Sequence, residues 1–302
     1  MDGRDGVGRE SALAERFEAQ RGHLQAVAYR MLGSLSEAED AVQETWLRLE
    51  RIDADEVANL AGWLTTVVSR VCLDMLRSRT ARREELVGQQ LPPDAGSGSG
   101  AQSDPEQEAV LADSVGRALL VVLDALGPAE RIAFVLHDMF AVPFDEIAPI
   151  VDRTPATAKK LASRARQRIR GIPAVSGAQL ARNRDVVEAF LAASRAGDLN
   201  AVVAVLAPDV VRRADAAALP AGRALEVRGA QNVAKEIVVF GRNARFAEPA
   251  LVDGAVGIVV APQGRLLLVL AITVDGDRIS EYELIADPAR LAGLELAVLG
   301  ER

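Results

Sequence analysis

Seven lysines and arginines and no acid lie between Arg153 and Arg170, in a chain of 302 residues whose formal charge is −8. Such a run does one kind of chemistry: it attracts polyanions, phosphates above all. Its internal spacing says more. Thr154 is a good N-cap and Pro155 a good first helical residue, so a helix is predicted to begin there. On that helix Ala158, Leu161, Ala162 and Ala165 face inward, while Thr157, Lys159, Lys160, Ser163, Arg164 and Arg166 project. Just upstream, Ile147, Ala148 and Val151 mark a short helix, joined to the basic one by the tight connection Asp152-Arg153. This is the layout of a helix-turn-helix whose second helix enters the DNA major groove. A merely solvated helix face interleaves acids at i±4, and this one has none. Pro149 removes a backbone donor inside the first helix, which predicts a kinked or shortened element.

Catalytic chemistry has few candidates. One cysteine (Cys72) and two histidines (His23, His137) are too few for a His/Cys metal cluster, so no metal or cofactor is expected. Residues 183–302 contain neither His nor Cys, so the usual nucleophile–base pairs are missing there. Acid–base work would fall to Asp215, Asp253, Glu281, Tyr282 or Glu283. Glu281 and Glu283, two apart on a strand, would share one face, and the plainer reading is a solvated sheet surface.

The elements that must position these residues fall into three segments. Gly88–Glu106, rich in Gly, Ser and Pro, reads as a flexible linker, and Gly171–Gly177 is a shorter break. The expected divisions are a helical domain over 11–87, a linker over 88–108, a helix-turn-helix domain over 109–172, a short linker over 173–182 and a last domain over 183–302. In the first, Phe17, Leu24, Val27, Ala28 and Met31 form one helical stripe. Ala38, Ala41, Val42, Thr45, Trp46 and Leu49 form a second, and Trp63, Leu64, Val67, Val68, Val71 and Met75 a third. Both tryptophans are expected in the core. The middle segment is predicted to be helical over 110–126 and again from Pro128. After Gly177 come two helices with Gly197-Asp198 as their turn, then Val/Leu/Ile runs punctuated by the hairpin signals Asp253-Gly254 and Asp275-Gly276. These predict an α+β domain with a curved antiparallel sheet packed on helices.

Charge is segregated along these segments. Residues 1–108 carry 12 basic and 20 acidic groups, 109–172 carry 9 and 7, and 173–302 carry 14 and 16. The single cysteine rules out an internal disulfide and points to a reducing cytoplasm. The opening MDGRDGVGRESALAER has no apolar run, so no signal peptide is expected, and Leu266–Val274 is too short to span a bilayer.

The residues also carry a resemblance. The first segment resembles region 2 of a bacterial sigma factor and the middle segment resembles region 4. With little between them, the pair is similar to the extracytoplasmic-function (ECF) class. "SEAEDAVQETWLRL" resembles the part that docks on the β′ clamp helices of core RNA polymerase, which implies Asp40, Gln43, Glu44 and Trp46 as the docking surface. "GWLTTVVSRVCLDMLRSRTARRE" resembles the helix that melts and reads the −10 element. It implies Ser69, Arg70, Asp74 and Arg77 as strand contacts, and Arg79, Arg82 and Arg83 as phosphate contacts. The helix from Pro155 resembles the −35 reader, and region 4 by the same likeness meets the polymerase β flap.

The last segment resembles a SnoaL-like domain of the NTF2-like fold, a tail found in one ECF subgroup. The resemblance implies two all-α sigma domains followed by an α+β cone. It implies a non-enzymatic promoter-recognition factor whose partners are core polymerase, duplex and melted promoter DNA, and its own tail in cis. The competing expectation is a tail that senses a small molecule or acts as a polyketide-cyclase-like enzyme. The sequence departs from the subgroup at three motifs. Gln90-Leu91-Pro92-Pro93-Asp94 stands for Trp-Leu-Pro-Glu-Pro, and Asp215-Ala216-Ala217-Ala218-Leu219 for an Asp-Gly-Gly-Gly-Lys type. Ala286-Asp287-Pro288-Ala289-Arg290-Leu291 stands for an Asn-Pro-Asp-Lys-Leu type.

Overall fold

The computed structural model describes residues 3–52, 57–87 and 116–300, and the expected linker 88–108 lies outside them. By their packing the described residues form two compact units, one of the described residues up to 87 with 124–166, the other of 116–123 with 167–300.

The first unit is helical. It contains α1 (Gly3–Leu32), α2 (Leu35–Leu49), α3 (Leu60–Val87), α5 (Pro128–Phe134), α6 (Phe144–Val151) and most of α7 (Pro155–Arg170). Gly33, at φ +73°, stops α1 by returning its N–H to Tyr29 O at 2.7 Å. Ser34 then caps α2, accepting the N–H of Glu37. The predicted stripes are the core: Phe17, Leu24, Val27, Ala28, Met31, Leu49 and Leu64 are buried. Each large apolar side chain there contributes about 1.5–3 kcal/mol. Trp46 and Trp63 are only half-buried. Both lie at the edge of a stripe, and Trp46 tilts against Phe17 at a centroid distance of 5.0 Å. Of the helix expected over 110–126, residues 110–115 lie outside the described part.

α5 runs into a π-helical turn, Val135–Met139, where His137 stacks on Phe144 at 3.9 Å and faces Val142 O through Nδ1 at 3.1 Å. Arg131 of α5 is buried and donates to Asp124 Oδ1 at 3.1 Å. A Cβ at Gly33 would come within 3.3 Å of its guanidinium, so a glycine leaves room for that charge. α6 is short and continues through Pro149 to end on Asp152 in the left-handed region at φ +55°. Thr154 accepts the N–H of Thr157 at 3.3 Å and opens α7.

The second unit holds α4 (Arg117–Asp124), α8 (Gly177–Ala196), α9 (Leu199–Val205), α10 (Ala230–Phe240), α11 (Pro288–Ala292) and seven strands. The strands are β1 (Leu206–Ala214), β2 (Glu226–Arg228), β3 (Ala247–Val252), β4 (Ala255–Val260), β5 (Leu268–Asp275), β6 (Arg278–Ile285) and β7 (Leu296–Ala297), in the order β2-β1-β6-β5-β4-β3-β7. Asp253-Gly254 turns β3 into β4 and Gly276-Asp277 turns β5 into β6, so the hairpins stand where the Asp-Gly pairs predicted them. Two expectations are corrected. The sheet is mixed, because β1 pairs parallel with β6 (Arg212 opposite Tyr282). The chain passes through β2, α10 and the β3–β6 meander between them, and so returns in the same direction. The linker over 173–182 is also shorter than expected: Ser176 accepts the N–H of Gln179, and α8 begins at Gly177.

Alternation sorts the sheet into two apolar faces. Val256, Ile258, Val260, Ile272 and Tyr282 join Val187, Phe190, Val202 and Val233 of α8–α10 in the larger core. Ala250, Val252, Val259, Val269 and Ile285 face the other way and pack with Ala118 of α4.

Candidate nucleic-acid interface

α7 sets its basic residues by phase. Ala158, Ala162 and Ala165 are buried, and Lys159, Lys160, Ser163 and Arg164 are exposed. The other two predicted residues differ. Thr157 is half-buried and shares a hydroxyl hydrogen bond with Thr154 at 2.9 Å. Arg166 pairs with Asp138 at 2.7 Å. Gln167, exposed and one turn beyond Ser163 and Arg164, extends the outward row. Its i+4 and i+3 spacing from those two residues was the signal available in the sequence.

On α3, Arg70, Asp74, Arg77 and Arg82 are exposed. Spacings of 4, 7 and 12 hold them to one side of the helix. Ser69 departs from the expectation. It is fully buried and donates to Thr65 O at 2.6 Å, because one residue of helix rotates the side chain by about 100°. Arg79 is half-buried, donating to Glu37 Oε1 at 3.0 Å and to Leu32 O at 3.1 Å. The side chain of Arg83 lies outside the described residues. Between α2 and α3 runs a groove of about 320 Å³ lined by Val71, Met75 and Ser78 and by charges of both signs, Glu37 and Asp74 with Arg48, Arg79 and Arg82.

On α2, Asp40 and Gln43 are exposed, and Glu44 is half-buried against Arg48 at 2.9 Å. Leu47, 40% exposed, completes their i, i+3, i+4, i+7 row and was not singled out from the sequence. Trp46 lies to one side of that row, against Phe17.

Electrostatics separate these surfaces from the interior. Cys72 lies fully buried on α3, and burial pushes its thiol up to about 12 despite the nearby Arg131 guanidinium. In the second unit burial raises the Tyr282 hydroxyl, which lies beside the buried Arg212 and its partner Glu236. Asp215 is held below the usual carboxylate range. Burial alone would raise it, but the backbone N–H groups of Asp287, Ala286 and Ala218, helped by Arg290, outweigh that effect. The remaining acid–base candidates are engaged: Glu281 pairs with Arg213 and Glu283 with Arg290, and Asp253 accepts the N–H of Glu295 at 2.8 Å.

Comparison with known families places two matches on these elements. Residues 17–82 match Sigma-70 region 2 and residues 116–169 match Sigma-70 region 4. The chain is 39% identical to ECF RNA polymerase sigma factor SigJ of Mycobacterium tuberculosis, over 93% of each chain. It is 32% identical to the probable ECF RNA polymerase sigma factor SigI of the same species, over 97% of this chain and all of that one. Among solved structures, the Mycobacterium tuberculosis SigJ crystal structure aligns over 93% of this chain and 98% of its own, at 33% identity and a TM-score of 0.45.

Proposed function

The chain belongs to the ECF RNA polymerase sigma factors, and from that premise we propose how its surfaces divide the work of promoter recognition. In the cytoplasm the protein joins core RNA polymerase through the α2 row of Asp40, Gln43, Glu44 and Leu47, which meets the β′ clamp helices. It reads the −35 duplex with α7. A bidentate contact from Lys160 or Arg164 to a guanine edge is worth about 1–3 kcal/mol of discrimination. It holds the melted −10 strand along α3, with Arg70, Arg77 and Arg82 on the phosphates and the α2–α3 groove receiving an extruded base. Unstacking that base costs a few kcal/mol, which polymerase contacts offset, so promoter opening requires the holoenzyme.

The observation that carries this reading is the pairing of two exposed cationic rows, on α3 and on α7, with an acidic row on α2. The tail acts as an interaction module that regulates the sigma regions in cis. Its larger core is filled by Phe190, Val233, Ile258 and Tyr282, and Glu281, Glu283 and Asp253 are engaged by Arg213, Arg290 and the Glu295 N–H, which favours an interaction module over the cyclase reading. In vitro transcription on a promoter library, with core polymerase and either the full chain or a chain ending at Gly171, tests both halves. Promoter-selective initiation by the full chain is expected, with an altered level from the truncated one.

A further inference from the structure

The residues matching region 4 begin and end on the tail. At the start, α4 is preceded by Gly116, at φ +82°, which has no side chain to cap it. The cap comes from β3 instead: Glu248 Oε2 accepts the N–H of Ala118 at 2.8 Å, across 130 residues. Arg117 holds its guanidinium 5.9 Å from the centre of the Phe246 ring, and Ala118 is buried on the second apolar face of the sheet. At the other end, Ile169 in the last turn of α7 accepts the N–H of Val298 at 2.7 Å. Gly171, at φ +58°, lies so close to β7 that a Cβ there would stand 2.4 Å from the Ala297 methyl.

A carboxylate on the first N–H groups of a helix satisfies an orphan donor and complements the dipole. A backbone bond to the last turn of the DNA-reading helix fixes where that helix stops. From these contacts we infer that the rim of the tail formed by β3 and β7 is a bracket for region 4. It grips the first turn of α4 through Glu248 and the last turn of α7 through Val298, and thereby sets how the −35 helix is presented. This rests on the reading of the tail as a regulator and gives that regulation a place. The surface is intramolecular, and its partner is the two ends of region 4 in the same chain.

The test uses the full chain with Glu248→Ala, Glu248→Gln and, as control, Glu226→Ala at the opposite edge of the sheet. Amide hydrogen exchange reads α4, and transcription with core polymerase reads function beside the chain truncated at Gly171. Glu248→Ala is expected to speed exchange at 118–121 roughly fivefold, the scale of a lost cap, and to move transcription in the direction the truncation moves it. Glu248→Gln, which keeps an acceptor, should fall between Glu248→Ala and the native chain, and Glu226→Ala should change neither readout. Unchanged exchange at α4 in Glu248→Ala would overturn the bracket. So would a released α4 with native transcription while the truncation alters it, and there tail regulation would survive by another route. If truncation itself leaves transcription unchanged, the regulatory reading fails and the bracket loses its function with it.

Discussion

Arg70 donates from Nη2 to the carbonyl oxygen of Pro149 at 3.2 Å. A guanidinium proposed to hold the −10 strand is thus engaged by the first helix of the helix-turn-helix, whose carbonyl at that point faces outward. Arg70→Ala should have two effects of different origin. The free chain should lose about 0.5–1.5 kcal/mol in urea unfolding, the range for one hydrogen bond. Open-complex formation by the holoenzyme should also fall. A variant that loses stability but melts promoters normally would remove Arg70 from the −10 surface.

For the −35 helix, Lys160→Ala and Arg164→Ala separate two roles. A base contact relaxes preference at one promoter position, at a cost of about 1–3 kcal/mol, whereas a phosphate contact weakens all promoters and lowers the salt slope by about 1. Holoenzyme binding at several salt concentrations distinguishes them. No change in either quantity would leave the row as a solvated face.

Reversing charge at Asp40 and Glu44 together should abolish co-purification with core polymerase while the helical unit stays folded by circular dichroism. Leu47→Ala should weaken binding without any change of charge. Trp46 is a poorer probe, since its contact with Phe17 makes truncation a packing change of several kcal/mol. Retained binding by the double reversal would move the docking surface elsewhere.

Much of this was legible in the sequence. The stripes through Leu24, Val42 and Val68 are buried as their spacing required, and Asp253-Gly254 marks a hairpin because both residues take positive φ. What escaped was set by distance or by phase. Strand alternation is the same for parallel and antiparallel partners, so the β1–β6 pairing left no local trace. Ser69 and Arg70 are neighbouring polar residues between Val68 and Val71, and only the rotation of α3 puts one in the core and the other outside. Nothing near Gly116 announces a cap that lies on β3.

Asp215 joins two of the departed motifs, accepting the N–H groups of Ala218, Ala286 and Asp287 at 2.8–2.9 Å. Its folded carboxyl is more acidic than an ordinary one. Its contribution is therefore present above the unfolded value of about 3.9 and is lost as pH falls through the lower folded value. Asp215→Ala should cost about 1–3 kcal/mol at pH 7, since it orphans those donors. It should also flatten the acid limb of stability below about pH 4. Urea unfolding at pH 7 and pH 3 reads both effects, and a native-like pH profile in the variant would count against this role.

Cys72 supplies an internal reporter. With its thiol pushed up to about 12 and no exposure, it should resist thiol reagents at pH 8 in the folded chain and react on unfolding. Rapid labelling of native protein would show that the helical unit opens often.

The bond between Ala118 and Glu248 also imposes an order on the protein's birth. A ribosome adding about 5–20 residues per second makes the helix on the order of ten seconds before the carboxylate that caps it, given their separation of 130 residues. Regions 2 and 4 therefore exist for an interval as a nascent chain without a tail, and any polymerase that meets them then meets a factor without the proposed bracket. Slow codons or a pause within residues 173–248 would lengthen that interval. If the tail regulates as proposed, the rate of translation would then set how much promoter recognition precedes the bracket.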